Sequence, residues 1–344
     1  MKVVCTVEAR MRSSRLPGKV LKEVNGKTLI EILFHRLSKS KKIDKIILAT
    51  AENKENDILT ETVEKLGFDV FRGSEEDVLD RYYHAAKPLK PSVVIRITGD
   101  CPIIDPQLVD DVIGLYQENN VDYVSNTEPP TYPDGLDTEV FSFTALETAY
   151  NKAEESFERE HVTPFICTNG EFKQANYLNE TDLSGERWTV DDPEDFEVIK
   201  NVINHFAPDL YFSWRDVLKL KKSRPEYFEA NRDIERNEGA ELGTGQKLWK
   251  RAKKIIPGGN MLLSKRPEMF LPEQWPAYYS KAKGIEVWDL DGNQYMDMSH
   301  CSAGACVLGF SDQDVNSSSR SASRVSSRNC RYARPEGPRH SYPA

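Results

Sequence analysis

Four cationic side chains, Arg10, Arg12, Arg15 and Lys19, fall within ten positions of the stretch "EARMRSSRLPGKVL", directly after the apolar run "VVCTV". Like charges this close repel, so the cluster costs stability unless an anion sits among them. The Ser13-Ser14 and Pro17-Gly18 turns expose backbone amides beside Arg10, Arg15 and Lys19. Charge-assisted donors converging in this way suit a triphosphate. The order of residues is not that of a P-loop. A solvated basic turn is the alternative reading. The position after a core strand, in a chain of net charge −9, favours the anion site.

Two carboxylates stand out beside that loop. Asp100 in "RITGDCPIID" follows an apolar strand. It is either a helix cap or a ligand for a hard cation such as Mg²⁺, and Asp105-Pro106 looks like the true helix start. In "WTVDDPEDFEVI", Asp192 before Pro193 reads as an N-cap with Glu194 and Asp195 in the first turn, which leaves Asp191 unexplained at a strand's end. Asp100 and Asp191 facing a triphosphate cradle would make a site for metal-assisted transfer at phosphorus.

The elements that must position these groups alternate in type. "KVVCTV", "KIILAT", "DVFRG", "SVVIRIT" (apolar on both faces) and "VDYVSN" read as strands. "TLIEILFHRLSKS", with Leu29, Ile32, Leu33 and Leu37 on one face, "NDILTETVEKLG", "EEDVLDRYYHAA" and "PQLVDDVIGLYQEN" read as helices. This predicts an α/β fold with a mostly parallel sheet and helices on both faces, whose ligands bind beyond the carboxyl ends of the strands. The basic loop and "TGDCP" both fall at such ends.

With 344 residues the chain has room for two domains. Its acidic balance argues against nucleic acid or an anionic membrane as partner. Six scattered cysteines without a C-x-x-C pair fit neither a zinc site nor a disulfide framework, and no apolar window is long enough to span a bilayer. The expected setting is cytoplasmic. After a first domain over residues 1–220, a charged linker is expected at 221–240 and a small α+β segment at 241–316, with a hairpin turning at Asp291-Gly292-Asn293. A chain stopped near Leu220 is expected to fold and act by itself. Residues 317–344 lack Lys, Leu, Ile, Met and Phe and are expected to be disordered; an out-of-frame reading would give the same abrupt break.

Five ordered motifs, "EARMRSSRLPGKVL", "RITGDCPIIDP", "PDGLDTEVFS", "REHVTPFI" and "TVDDPEDFEVI", make residues 1–220 resemble the cytidylyltransferases that activate acidic sugars. The likeness is to the spore coat polysaccharide biosynthesis protein F group, with CMP-Kdo and CMP-sialic acid synthetases as relatives. The resemblance implies a nucleotide-diphosphosugar transferase-like fold and CTP and a sugar as substrates. It implies nucleotide contacts from Ala9, Arg10, Ser13, Ser14, Arg15, Lys19, Arg72 and Ser74, and catalytic roles for Arg10, Lys19, Asp100 and Asp191. Asp100 and Asp191 would ligate Mg²⁺. Asp134, Glu139, Arg159 and His161 would face the acceptor sugar, although His161 equally suits a plain helix-start histidine.

Residues 240–315 resemble a different family. "GGNMLLSKRPEMF", "AKGIEVWDLDGNQYMDMS" and "GACVLGF" are similar to the start of class-III, PLP-dependent aminotransferases. The chain runs into the Ser/Arg-rich tail before any PLP domain, so PLP and aminotransferase activity are not expected. Two rival functions stay open at this point. One is a glycosyltransferase, which usually wants an Asp-x-Asp pair where "TGDCP" supplies one acid. The other is a non-catalytic scaffold that docks an aminotransferase. A homodimer is also possible.

Overall fold

The computed structural model describes residues 1–13, 15–234, 236, 243–259, 266–269 and 275–296. Ser14, the "GACVLGF" stretch and the tail from 317 lie outside them. The chain divides into two units, Met1–Arg236 and Asn237–Ala344.

The first unit is built on strands β1 (Val3–Glu8), β2 (Glu23–Val24), β3 (Lys27–Thr28), β4 (Lys45–Ala51), β5 (Asp69–Gly73), β6 (Val93–Thr98), β7 (Tyr123–Ser125), β8 (Glu139–Ser142) and β9 (Gln174–Asn176). Seven of them form one sheet in the order β5-β4-β1-β6-β8-β7-β9, while β2 and β3 make a small hairpin. All pairings in the large sheet are parallel except those of β8, which runs antiparallel to β6 and β7. The mostly parallel sheet is as expected. β8 and β9 were not foreseen; β8 follows β7 with no helix between them, outside the expected strand-helix alternation.

The helices are α1 (Leu29–Leu37), α2 (Asp57–Lys65), α3 (Val78–Ala86), α4 (Pro106–Glu118), α5 (Phe143–Lys152), α6 (Ser156–His161), α7 (Pro164–Thr168), α8 (Pro193–Phe206) and α9 (Trp214–Ser223). Strand alternation divides them between two faces. Val3, Cys5 and Val7 of β1 pack with Leu33, Val112, Ile199 and Val217 from α1, α4, α8 and α9. Val4 faces the other way with Ile47 and Ala85, beside a cluster from α3, α5 and α7. Local chemistry starts the helices where the sequence predicts. Thr28 and Glu31 form a capping box on α1, and the Asp105 carboxylate accepts the amides of Gln107 and Leu108 on α4.

One strand departs from expectation. β6 is not apolar on both faces: Arg96 lies within it, beside Glu139 of the neighbouring β8. Another cation, the buried Arg36 of α1, is held by main-chain carbonyls. It donates to Ile104 O (2.8 Å), Ile103 O (3.2 Å), Phe212 O (2.9 Å) and Leu210 O, tying α1 to the segments after β6 and before α9.

The second unit contains helix α10 (Thr244–Ile255) and an antiparallel sheet of β10 (Tyr279–Lys283), β11 (Glu286–Asp289) and β12 (Gln294–Met296). The turn between β11 and β12 is the expected one. Asp289 accepts the amides of Asp291 (2.9 Å) and Asn293 (2.8 Å), and Gly292 takes φ +88°.

The first unit also runs past the expected boundary at Leu220. Phe228 is 6% exposed in the main core, and Asn231 donates to Asp195 Oδ1 (2.9 Å) and to Arg187 O (3.0 Å). Of the residues expected to form a linker, those up to Phe228 and Asn231 are therefore part of the first unit's fold. A chain stopped after Arg236 should melt as one cooperative unit. A chain stopped after Leu220 should lose at least about 3 kcal/mol, the scale of deleting one buried Phe side chain. Urea denaturation of the two truncations checks this, and equal midpoints would refute it.

Candidate active site

The basic loop is anchored before it meets any ligand. Met11 donates its amide to Asn56 Oδ1 (2.8 Å), and Gly18 donates to the Met11 carbonyl (2.9 Å), which closes the loop on itself. Gly18 sits at φ +68° and opens the short 3-10 turn that carries Lys19. Ala9 is buried against Gly99, where an added Cβ would lie 2.6 Å from that of Ala9. Only glycine lets the ends of β1 and β6 approach so closely.

Backbone pairing between distant segments brings in the acids. The Asp100 carbonyl accepts the Val190 amide (2.8 Å) and the Thr189 hydroxyl (3.2 Å), which sets Asp191 beside Asp100. Asp134 donates its amide to Glu186 O (2.8 Å) and accepts that of Trp188 (2.7 Å). Gly135, at φ +100°, permits this approach, since a Cβ there would lie 2.5 Å from the Trp188 backbone.

The side chains then form one charge network at the carboxyl end of the sheet. Lys19 Nζ donates to Asp191 Oδ1 (2.8 Å) and Asp100 Oδ2 (3.2 Å). Burial would lower the lysine pKa, but Asp100 and then Asp191 outweigh it and the net shift is upward. Burial likewise opposes ionisation of Asp100, but Lys19 and the Thr98 hydroxyl outweigh it and hold the carboxyl down at about 2. Arg15 pairs with Asp191 (3.0 Å) and Asp192 (2.7 Å). The buried Arg187 pairs with Asp134 (3.0 Å), Asp191 (3.3 Å) and Asp195 (2.9 Å), and Arg236 with Asp137 (2.6 Å).

Of the residues expected at the site, Arg15, Lys19, Asp100, Asp134 and Asp191 meet in this network. Arg10 is exposed on the same loop, near enough to act electrostatically on Glu75 and Arg81. Ser13 Oγ accepts the Leu16 amide (3.3 Å) and shapes the loop. Glu139 lies in a second cluster, accepting from Arg96, Tyr123 (2.6 Å) and Thr163 (2.7 Å). His161 borders that cluster; burial first, then Arg96, lower its pKa.

Three expected contacts are engaged elsewhere. Arg72 is taken up by Asp57 (2.7 Å) and the Asn53 carbonyl (2.8 Å). Ser74 Oγ accepts the Asp77 amide (3.0 Å) at the start of α3. Arg159 holds Asp77 (2.7 Å) and the carbonyls of Tyr150 and Ala153. In this structure the three join elements of the fold and do not meet the Lys19 network. Sequence reasoning missed Arg187, Asp195, Asp137, Arg236 and Arg96. Only Arg96 left a signal, a cation inside an otherwise apolar strand, which needs a partner when buried.

The cytidylyltransferase family model matches residues 4–234. The chain belongs to the cytidylyltransferase family. It is 37% identical over 232 residues to the spore coat polysaccharide biosynthesis protein SpsF of Bacillus subtilis, covering 65% of this chain and 95% of that one. It is 34% identical over 127 residues to 3-deoxy-manno-octulosonate cytidylyltransferase 2 of Hydrogenovibrio crunogenus, covering 36% of this chain and 50% of that one. A solved cytidylyltransferase from Leptospira borgpetersenii superposes with a TM-score of 0.64 at 34% identity, covering 67% of this chain and 97% of that one. Among the described residues of this cytidylyltransferase, no helix is long and apolar enough to cross a membrane.

The network makes a pH prediction. Burial first, then the neighbouring Asp137, push the Asp134 carboxyl up to about 7. The folded protein therefore holds that proton more tightly than the unfolded chain, whose Asp titrates near ~4. The stability this contributes is full below about pH 4, declines as pH rises, and is gone above about pH 7. The stability advantage of wild type over Asp134→Asn should shrink across that window and stay flat beyond it. Urea denaturation at stepped pH tests this; a constant difference would mean that Asp134 titrates normally.

Proposed function

We propose that this cytidylyltransferase transfers CMP from CTP to an acidic sugar, releasing pyrophosphate, for surface polysaccharide or spore coat synthesis. The observation that carries the reading is the convergence of Lys19, Asp100 and Asp191 at the carboxyl end of the sheet, with Arg10 and Arg15 on the same loop. The likenesses to the spore coat protein and to the octulosonate enzyme support the substrate class.

The donor set fits Mg²⁺. Among the described residues no cluster of three or more His, Cys, Asp or Glu is spaced for a metal, but Mg²⁺ is commonly held by one or two carboxylates plus substrate phosphates. Asp100 and Asp191 already aim an oxygen each at one positive charge, the Lys19 ammonium. In the whole network six carboxyl groups (Asp100, Asp134, Asp137, Asp191, Asp192 and Asp195) meet four cations (Arg15, Lys19, Arg187 and Arg236), and even with Asp134 partly protonated near neutral pH an acidic surplus remains that suits a cation. Asp100 and Asp191 would hold the ion, which when bound supplies charge stabilisation at phosphate oxygens.

In the transfer, a sugar hydroxyl attacks the α-phosphorus in line. The new bond joins sugar oxygen to phosphorus, the bond from phosphorus to the oxygen bridging the α- and β-phosphates breaks so that pyrophosphate leaves with that oxygen, and the hydroxyl proton passes to solvent. Arg10, Arg15 and Lys19 stabilise the charge that builds on the α-phosphate and the departing pyrophosphate. Little covalent chemistry is asked of the protein, so positioning and positive charge supply most of the rate. Glu139, buried among three donors, fixes the Arg96 guanidinium at the edge where the acceptor would enter. The second unit is read as the start of an aminotransferase without activity of its own; its resemblance in sequence supports this, and PLP plays no part in the reaction proposed.

Pyrophosphate release measured across nucleoside triphosphates and acidic sugars tests the proposal. Release with CTP and at least one acidic sugar is expected, and no release with any pair would reject the transfer. Lys19→Ala should cut turnover by about 10²–10³-fold with an unchanged circular dichroism spectrum. Near-normal turnover would put the phosphate cradle elsewhere. Asp100→Asn and Asp191→Asn should each lower turnover, and the double variant should lose far less than the product of the two effects, because both act through one ion. Strict additivity in that cycle would separate their roles.

A further inference from the structure

Every oxygen of the Asp100–Asp191 pair already has a donor. Asp191 Oδ1 accepts from Lys19 (2.8 Å), while its Oδ2 faces Arg15 (3.0 Å) and Arg187 (3.3 Å). Asp100 Oδ2 accepts from Lys19 (3.2 Å) and Oδ1 from the Thr98 hydroxyl (2.5 Å). The Lys19 side chain is only 12% exposed, so its charge interacts with both acids more strongly than it would in open water. A dication cannot use both acids without displacing that ammonium.

We propose that Lys19, seconded by Arg15, keeps divalent metal out of the nucleotide-free site, so that metal enters with the nucleotide or after it. This rests on the transfer reading, since it takes Asp100 and Asp191 as the residues that hold the ion. The three cations on Asp191 differ in what they are free to do. Arg187 is buried and fixed by Asp195 and Asp134, so it stays. Lys19 and Arg15 belong to the loop after β1, and a triphosphate offers them an alternative anion. Once they move onto phosphate, two carboxylates are left with a surplus of negative charge beside further phosphate oxygens, which is where a hard dication binds. The coupling is reciprocal: whatever the nucleotide adds to metal affinity, the metal adds to nucleotide affinity. Lys19 thus has two successive partners, carboxylates in the empty site and phosphate in the loaded one.

The test needs neither sugar nor turnover. Nucleotide-free full-length protein is titrated with Mn²⁺, and unbound Mn²⁺ is followed by electron paramagnetic resonance. Lys19→Met should bind Mn²⁺ at least tenfold more tightly than wild type, Arg15→Gln should gain less, and adding Asp100→Asn to Lys19→Met should abolish the gain. Equal affinity in wild type and both single variants overturns the proposal. So does a gain that survives Asp100→Asn, because the ion would then sit elsewhere. If thermal melting shows Lys19→Met to be unfolded, Arg15→Gln decides alone. A wild type that releases pyrophosphate while neither variant gains Mn²⁺ sinks only this inference. A Mn²⁺ gain in a protein that releases no pyrophosphate sinks the transfer reading and leaves the charge competition standing.

Discussion

The ammonium of Lys19 lies between two carboxylates from segments far along the chain, Asp100 and Asp191, and the rest of the site is arranged around that meeting. Lys19 comes from the turn opened by Gly18, Asp100 from the end of β6, and Asp191 from the residues just before α8. None of the three would be charged and half-buried without the others, because an isolated ion taken out of water loses more in hydration than packing returns. The contact therefore constrains everything that brings its members together. Gly99 must be small, Val190 must pair with the Asp100 carbonyl, and the loop must close through Met11 and Gly18.

Arg187 extends that constraint into the core. Its guanidinium reaches Asp134, Asp191 and Asp195, and Asp195 in turn accepts the amides of Asp191 and Asp192 at the start of α8. One buried cation thus fixes the "PDGLD" turn and the "TVDD" segment against each other. The same residues explain why the fold does not end at Leu220, since Asn231 completes the hydrogen bonding of Asp195. A buried carboxylate with an unmet lone pair is costly, so the chain that satisfies it belongs to the same folding unit.

A second polar cluster stands on the face covered by α3 and α5–α7. Arg96 of β6 is held by Glu139 of the antiparallel β8, which also takes the hydroxyls of Tyr123 and Thr163. The reversal of β8 puts these groups opposite one another, and β8 is one of the elements that the β-α alternation did not announce. The transferase edge of the sheet thus has two charged regions, one built around Lys19 and one around Arg96. They share the strand β6, which carries Arg96 within it and Asp100 just past its end.

The sequence by itself determined the parts that depend on neighbours a few residues away. Apolar runs and helical spacing defined β1, β4, β6, α1 and α4. Asp105 with Pro106 marked a helix start, and Asp291-Gly292-Asn293 marked the second unit's turn. The basic loop was legible because four like charges on one turn are unfavourable without an anion. Tertiary structure alone decided which charges meet. That Lys19 faces Asp100 and Asp191, that Arg187 gathers three acids, and that Arg72 and Arg159 are spent on Asp57 and Asp77 depend on strand order and register. The reason is physical. Periodicity and capping are local energies written into consecutive residues, whereas an ion pair depends on distance and burial, which exist only once the sheet has closed.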